Sequence, residues 1–367
     1  MHYKHNSLII TVSLLVSTFV TAVLMPSCRD DKVVLPVSHD TIATAPVDNA
    51  IVGFYLLNEG SMGSNKASLD YYDYGTGVYS LNIFAAVNPH IAMEMGDVGN
   101  DLRIYGSRLY AVINCSNKID VMEARTARKI GQIDVPNCRY LRFNEGYGYV
   151  TSYAGPVQID QGYKQIGYVA RFDTATLAII DTCYVGYQPD ELEIVGRKMY
   201  VANSGGYMVP NYENTVSVID LDSFSEVGRI SVAINLHHLR CDRYNQLWVS
   251  SRGDNYDTHS KLYCIETQTD RVIDSVNVAV SDMWIDGDSL YFYGSEYSNQ
   301  TGKTSKAVYG IVDTHTHALL TDNFIADGTE SQLQTPYGIM VNPLTKDIYL
   351  TDAKNYVTPG LLHCYSA

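Results

Sequence analysis

The sequence is poor in several features that would narrow its chemistry at once. It has seven cysteines in 367 residues and no Cys-x-x-Cys pair. No group of Cys and His has metal-ligand spacing, so neither a zinc site nor a thioredoxin-like motif is indicated. Cys115, Cys138, Cys183, Cys241, Cys264 and Cys364 are scattered, and several fall inside apolar strand patterns. Buried free thiols are the expected state there, although an exported protein could form disulfides. No long block of like charge is present, which argues against bulk disorder. No segment carries helix-length periodicity, which argues against a helical bundle. Tryptophan and phenylalanine are scarce, at two and eight copies, against 30 tyrosines. Aromatic enrichment favours strands. Tyrosine in particular suits wet binding surfaces, because it pairs a flat apolar ring with a polar tip.

One long apolar run exists, at residues 7–25, behind a basic n-region at Lys4. It ends in Met25-Pro26-Ser27-Cys28. This resembles a bacterial lipoprotein signal, in which Cys28 is lipidated and becomes the mature N-terminus. An uncleaved anchor or an ordinary secretory signal is the alternative. Residues 29–32, Arg-Asp-Asp-Lys, resemble the export signal of surface lipoproteins in Bacteroidota, with a periplasmic location as the alternative. Residues 28–50 then read as the lipidated Cys and a flexible tether. Removing residues 1–27 leaves 25 basic against 40 acidic residues, a net charge of −15. Such an acidic body is a poor match for nucleic acid, whose binding is dominated by phosphate neutralisation, and no nucleic-acid partner is expected.

A short alternating motif that ends in small or Asn/Asp/Ser residues recurs seven times. It starts near residues 52, 108, 147, 198, 246, 289 and 347. The spacing of roughly 40 to 60 residues is that of propeller blades. A strand with a tight polar turn precedes most copies. A strand running into an Asp/Glu-x-x-Thr/Ser turn follows most of them, and a fourth strand comes after. The expected fold is all-β, a seven-bladed β-propeller over residues 51–367, with a β-sandwich or solenoid as the alternative. The first unit begins at its second strand and the chain stops at a third strand. At least one strand is therefore expected to be short or missing where the ends meet.

In such a blade the loop after the second strand and the connection to the next blade emerge on one face. The loops place Tyr153, Tyr163, Tyr207, Tyr212, Tyr256, Tyr297 and Tyr356 on that rim, with Asn58, Asn114, Asn203, Arg252, Asp254 and Asp352. The connections add Arg139, Tyr140, Asp190, His237, His238, Asp282 and Tyr337. Long aromatic loops on one face mark a binding surface for a large, amide- and hydroxyl-rich ligand. The alternative is that these tyrosines cover one another and stiffen the loops.

Residues 56–77, 111–128, 149–156, 187–206 and 335–356 carry a further likeness. With the lipoprotein start, the pattern resembles the YncE-like seven-bladed propellers, and within them the BtuG-type surface lipoproteins of gut Bacteroidota. That resemblance implies capture of a corrinoid such as vitamin B12 at the cell surface. It also implies transfer to a TonB-dependent outer-membrane transporter, with no cofactor and no catalysis. A propeller that binds a glycan or a protein is the second reading. A propeller lactonase or lyase is the third, and would need converging acid/base or metal groups. His237–His238 with Asp190 and Asp282 is the visible candidate. Strict alternation along a strand lets at most one of the two histidines face a central site.

Overall fold

The computed structural model describes residues 37–41, 51–91, 94–156, 159, 162 and 164–366. Cys28, the apolar leader and Tyr163 lie outside them. Seven small antiparallel sheets form a β-propeller, as the repeats predict. Sheets two to seven span residues 99–134, 138–184, 189–231, 236–276, 282–321 and 336–365, in chain order. Among the described residues, sheets two to six have four strands each, running outward from the axis in sequence order, and sheet seven has three. The inner strands are Gly99–Tyr105, Cys138–Asn144, Pro189–Val195, Leu236–Cys241, Asp282–Asp286 and Pro336–Val341. Each packs beside the next.

The first sheet differs. Gly53–Asn58 is its innermost strand, followed outward by Ser68–Asp73 and Val78–Leu81. Within the stretch expected as tether, Ser38–Thr41 pairs with Val78–Leu81 and forms the outer edge. Gly53–Asn58 runs in the sense of a second strand. Its end, not its start, meets the start of the second sheet, where the Gly99 N–H donates to the Glu59 carbonyl at 3.0 Å. It is half-buried at all six positions. Its counterpart Arg108–Ile113 is buried at five of six. Among the described residues the expected irregularity at the meeting of the ends is therefore present. It consists of a three-stranded last sheet and a first sheet whose innermost strand runs as a second strand.

Buried strands sandwiched between neighbouring sheets are apolar on both faces. An apolar layer fills each gap from sheets one and two round to sheets six and seven. Tyr110, Leu141 and Phe172 join sheets two and three, for example. Among the described residues, sheets seven and one meet through aromatic and polar side chains. Phe54 and Tyr349 lie 5.1 Å apart between centroids, and Asn342 Nδ2 donates to Tyr74 Oη at 3.0 Å.

The Asp/Glu-x-x-Thr/Ser turns shape the face opposite the loops. Asp173 Oδ1 accepts from the Thr176 N–H at 2.7 Å, and Asp313 Oδ1 from the Thr316 N–H at 2.7 Å. Those bonds hold both carboxyls below the usual carboxylate range. The next residue takes the left-handed conformation, with φ 55° at Ala127, 63° at Leu177 and 47° at Phe224. Left-handed backbone disfavours ordinary residues. Here it turns Ala127, Leu177 and Phe224 into the apolar layers between sheets. The six cysteines from Cys115 onward are free thiols. Cys138, Cys183 and Cys264 are buried, and burial pushes Cys138 up to about 12.

Candidate functional site

The inner strands are bulged at the same place in five sheets. Arg139–Tyr140 lie opposite the single residue Thr151, Asp190–Glu191 opposite Ala202, and His237–His238 opposite Ser250. Asn100 and Tyr337 are the extra residues in sheets two and seven. A bulge breaks strict alternation and re-aims side chains. The expectation that one histidine must turn away is therefore corrected. His237 and His238 both line the central cavity, with ring centroids 3.7 Å apart.

That cavity lies at the loop end of the ring and has a volume of about 1040 Å³. Its lining carries five carboxylates, on Glu59, Asp101, Glu191, Asp282 and Glu330. Five cations oppose them, on Arg103, Arg139, Arg240, Arg252 and Lys306. Tyr140, Tyr207, Tyr293, Tyr309, Tyr337 and Tyr356 also line it.

Glu191 is the electrostatic hub. It is fully buried. Arg142 Nη2 lies 2.9 Å from Oε1 and Arg103 Nη2 3.4 Å from it, and Arg240 also pairs there. His238 Nδ1 is 3.0 Å from Oε2, which also accepts the Leu239 N–H at 3.1 Å. Burial alone would raise this carboxyl. Arg240, Arg142 and His238 outweigh it and hold Glu191 well below the usual range. Each arginine has a second acidic partner: Asp101 for Arg103 at 3.1 Å, Glu193 for Arg142 at 3.1 Å and Asp282 for Arg240 at 3.7 Å. Beside this hub, His237 Nε2 pairs with Tyr140 Oη at 2.9 Å. Burial, then repulsion from Arg252, pushes His237 well below the ordinary imidazole value.

Residues 52–362 match a family described as a domain of unknown function, DUF5074. The chain belongs to the DUF5074 family. No curated protein matches it. Among solved structures it is similar to a chain of Kuenenia stuttgartiensis hydrazine synthase, at 19% identity and a TM-score of 0.51, covering 67% of this chain and 70% of that one. It is also similar to a chain of the mitotic checkpoint complex, at 12% identity and a TM-score of 0.53, covering 73% of each. The computationally designed Ika8 protein is a third, at 12% identity and a TM-score of 0.51, covering 89% of this chain and 95% of that one. At these identities the likeness carries the fold alone.

In this DUF5074 domain the described residues expected at the rim divide into four groups. Asn114, Arg139, Tyr140, Tyr207, His237, Arg252, Asp282, Tyr337 and Tyr356 line the cavity. The amide of Asn114 is committed to Asn137 Oδ1 at 2.6 Å and the Cys138 carbonyl at 2.8 Å. Tyr153 and Asp190 stand behind the wall, both buried, with Tyr153 Oη donating to Asp190 Oδ1 at 2.6 Å. Tyr256 and Tyr297 line a second depression of about 210 Å³ on the same face, which shares Thr304 and Ser305 with the main cavity.

Tyr212 lies outside both depressions, and so do four polar residues, these for physical reasons. Asn58 donates to Ser68 Oγ and Asp70 Oδ2, at 3.2 and 2.8 Å. Asn203 is buried, and its amide donates to Thr215 and Ser217. Asp254 accepts the Tyr256 and Thr258 N–H groups within its own turn. Asp352 accepts the Gln334, Thr335 and Lys354 N–H groups, and these bonds hold it below the usual range despite burial. These side chains tie loops in place. Asp101, Arg103, Arg142, Glu191 and Arg240 were not anticipated. The signal was a charged residue after the apolar position of the inner strand, in Leu102-Arg103, Leu141-Arg142 and Leu239-Arg240.

Among the described residues no group of His, Cys, Asp and Glu could hold a metal ion. No helix among them is long and apolar enough to cross a membrane.

Proposed function

We propose that this DUF5074 protein is a cell-surface lipoprotein that captures a corrinoid in the central cavity and passes it to a TonB-dependent outer-membrane transporter. The observation that carries the reading is the cavity itself, which is bulky, open at one face, ringed by tyrosines and balanced at five charges of each sign. Ligand sites commonly run to about 300–1,000 Å³, so this volume suits a large guest. A cavity without net charge suits a guest without net charge. A corrinoid offers a flat apolar ring for tyrosine faces. Its fringe of amides can both donate to carboxylates and accept from arginines. The bulged inner strands hold these groups rigidly, so little ordering entropy is lost on binding. Lipidation at Cys28 and a mature net charge of −15 fit docking of the body on a basic transporter rim.

The test is titration with cyanocobalamin, followed by absorbance and heat. Saturable one-to-one binding is expected. Absence of both signals at saturating ligand overturns the reading. The second depression, with exposed Tyr256 and Tyr297, favours a glycan as the alternative guest. A glycan array separates the two.

A further inference from the structure

The five arginines around the cavity do not have equal work. The guanidiniums of Arg103, Arg142 and Arg240 are each shared between two carboxylates. Arg139 and Arg252 are different. They sit together on the wall formed by sheets three to five and share one carboxylate, Asp190. Arg139 uses only Nε for it, at 3.3 Å. Arg252 Nη1 lies 3.6 Å from Asp190 Oδ2, beyond hydrogen-bond reach, and Oδ2 is buried without a hydrogen-bond partner. Asp190 Oδ1 is already occupied by Tyr153. Among the described residues, therefore, the terminal nitrogens of Arg139 and the whole guanidinium of Arg252 make no hydrogen bond. Both line the cavity, and Arg252 is 40% exposed.

Two cations against one anion leave this wall with an excess of one positive charge. Its immediate neighbours do not cancel it, and the lining carboxylates with no cation partner among the described residues, Glu59 and Glu330, belong to the part of the cavity near sheets one and seven. Glu191 is taken up by its own arginines and His238, and His237 is paired with Tyr140. The guanidinium of Arg139 is braced over the Tyr153 ring at 4.9 Å, which fixes its plane. Planar forks with free N–H pairs match the oxygens of a phosphate.

We infer that Arg139 and Arg252 form a subsite for a singly charged phosphodiester, the linkage that ties the nucleotide loop to the ring in a complete corrinoid. The inference rests on the proposed function and adds a specificity to it. The cavity discriminates complete corrinoids from ring-only precursors that lack the phosphodiester.

The experiment compares cyanocobalamin with dicyanocobinamide on the wild type and Arg252→Met, with matched thermal midpoints as the check on folding. A hydrogen bond to a charged group contributes about 1.5–3 kcal/mol, so R252M is expected to weaken cyanocobalamin about 10- to 150-fold and dicyanocobinamide less than about twofold. Equal losses for the two ligands, or no loss for either, overturn the subsite. A second arm separates it from the parent reading. Dimethyl phosphate is titrated while the arginine side-chain nitrogens are followed by NMR. Saturable shifts at Arg139 and Arg252 that R252M abolishes support the subsite even if no corrinoid binds. Silent arginine signals overturn it even if corrinoid does bind.

Discussion

Replacing Glu191 by Gln tests whether the cavity wall is held by one buried charge. The substitution keeps the shape and removes the anion. It leaves Arg103, Arg142, Arg240 and His238 converging on a neutral amide, whose own N–H groups face arginine and backbone donors with His238 Nδ1 as the one group able to accept, in one tautomer. Breaking a buried ion pair by removing one partner costs about 3–5 kcal/mol. Part of that loss is offset because each arginine keeps its second acidic partner, so the lower end is expected. With an unfolding entropy of about 2.1 cal/mol/K per residue over a ring of about 300 residues, 1 kcal/mol corresponds to roughly 1.5 °C. E191Q is therefore expected to lower the thermal midpoint by about 5 °C near neutral pH, read by calorimetry. The pH dependence has a definite sign. The folded Glu191 carboxyl lies well below its unfolded value, so its contribution is complete above the unfolded pKa of about 4.3 and fades as pH falls through the folded one. The midpoints of wild type and variant should converge in strong acid. A drop under about 1 °C at neutral pH, which is below 1 kcal/mol on the same scale, would refute the hub.

Two further outcomes follow from the same geometry. His237 is held neutral by burial and by Arg252, so its imidazole should show no titration in NMR spectra between pH 6 and 8. An unfolded chain binds that proton more readily, so stability should fall with pH below about 6.5, and His237→Gln should flatten that limb. Trp248 is fully buried and its Nε1 donates to Asp242 Oδ2 at 2.9 Å. Trp248→Phe should destabilise the ring by about 1–3 kcal/mol, through the unsatisfied carboxylate and the lost volume, in denaturant unfolding.

The architecture was legible because its signals are local and repeated. Alternation, turn chemistry and a spacing of one blade recur along the chain, and each copy supports the others. The Asp/Glu-x-x-Thr/Ser turns were readable for the same reason, since the bonding side chain lies three residues from its partner. The site was legible only where the connections between blades were read as a set, as with Arg139–Tyr140 and His237–His238. What escaped reading was the bulge. One extra residue in the inner strand changes the face a side chain takes, and no residue type announces it. Asn58, Asn203 and Asp352 misled for a related reason. A short polar side chain at a strand end serves a loop as readily as a ligand, and only its partners distinguish the two. The Glu191 hub links residues 88 positions apart, from Arg103 to Glu191, and pairing over that span leaves no trace in a single sequence.

The joint between the last sheet and the first has a mechanical meaning. A hoop latched by a shared strand has a fixed girth. Among the described residues, Phe54, Tyr74, Asn342 and Tyr349 meet here as side chains, like the two ends of a split washer. Sliding those rings past one another would break no ladder of backbone bonds among the described strands. The bore beside Glu59 and Tyr337, which straddle that split, is where a bulky cargo would find the circumference most willing to yield.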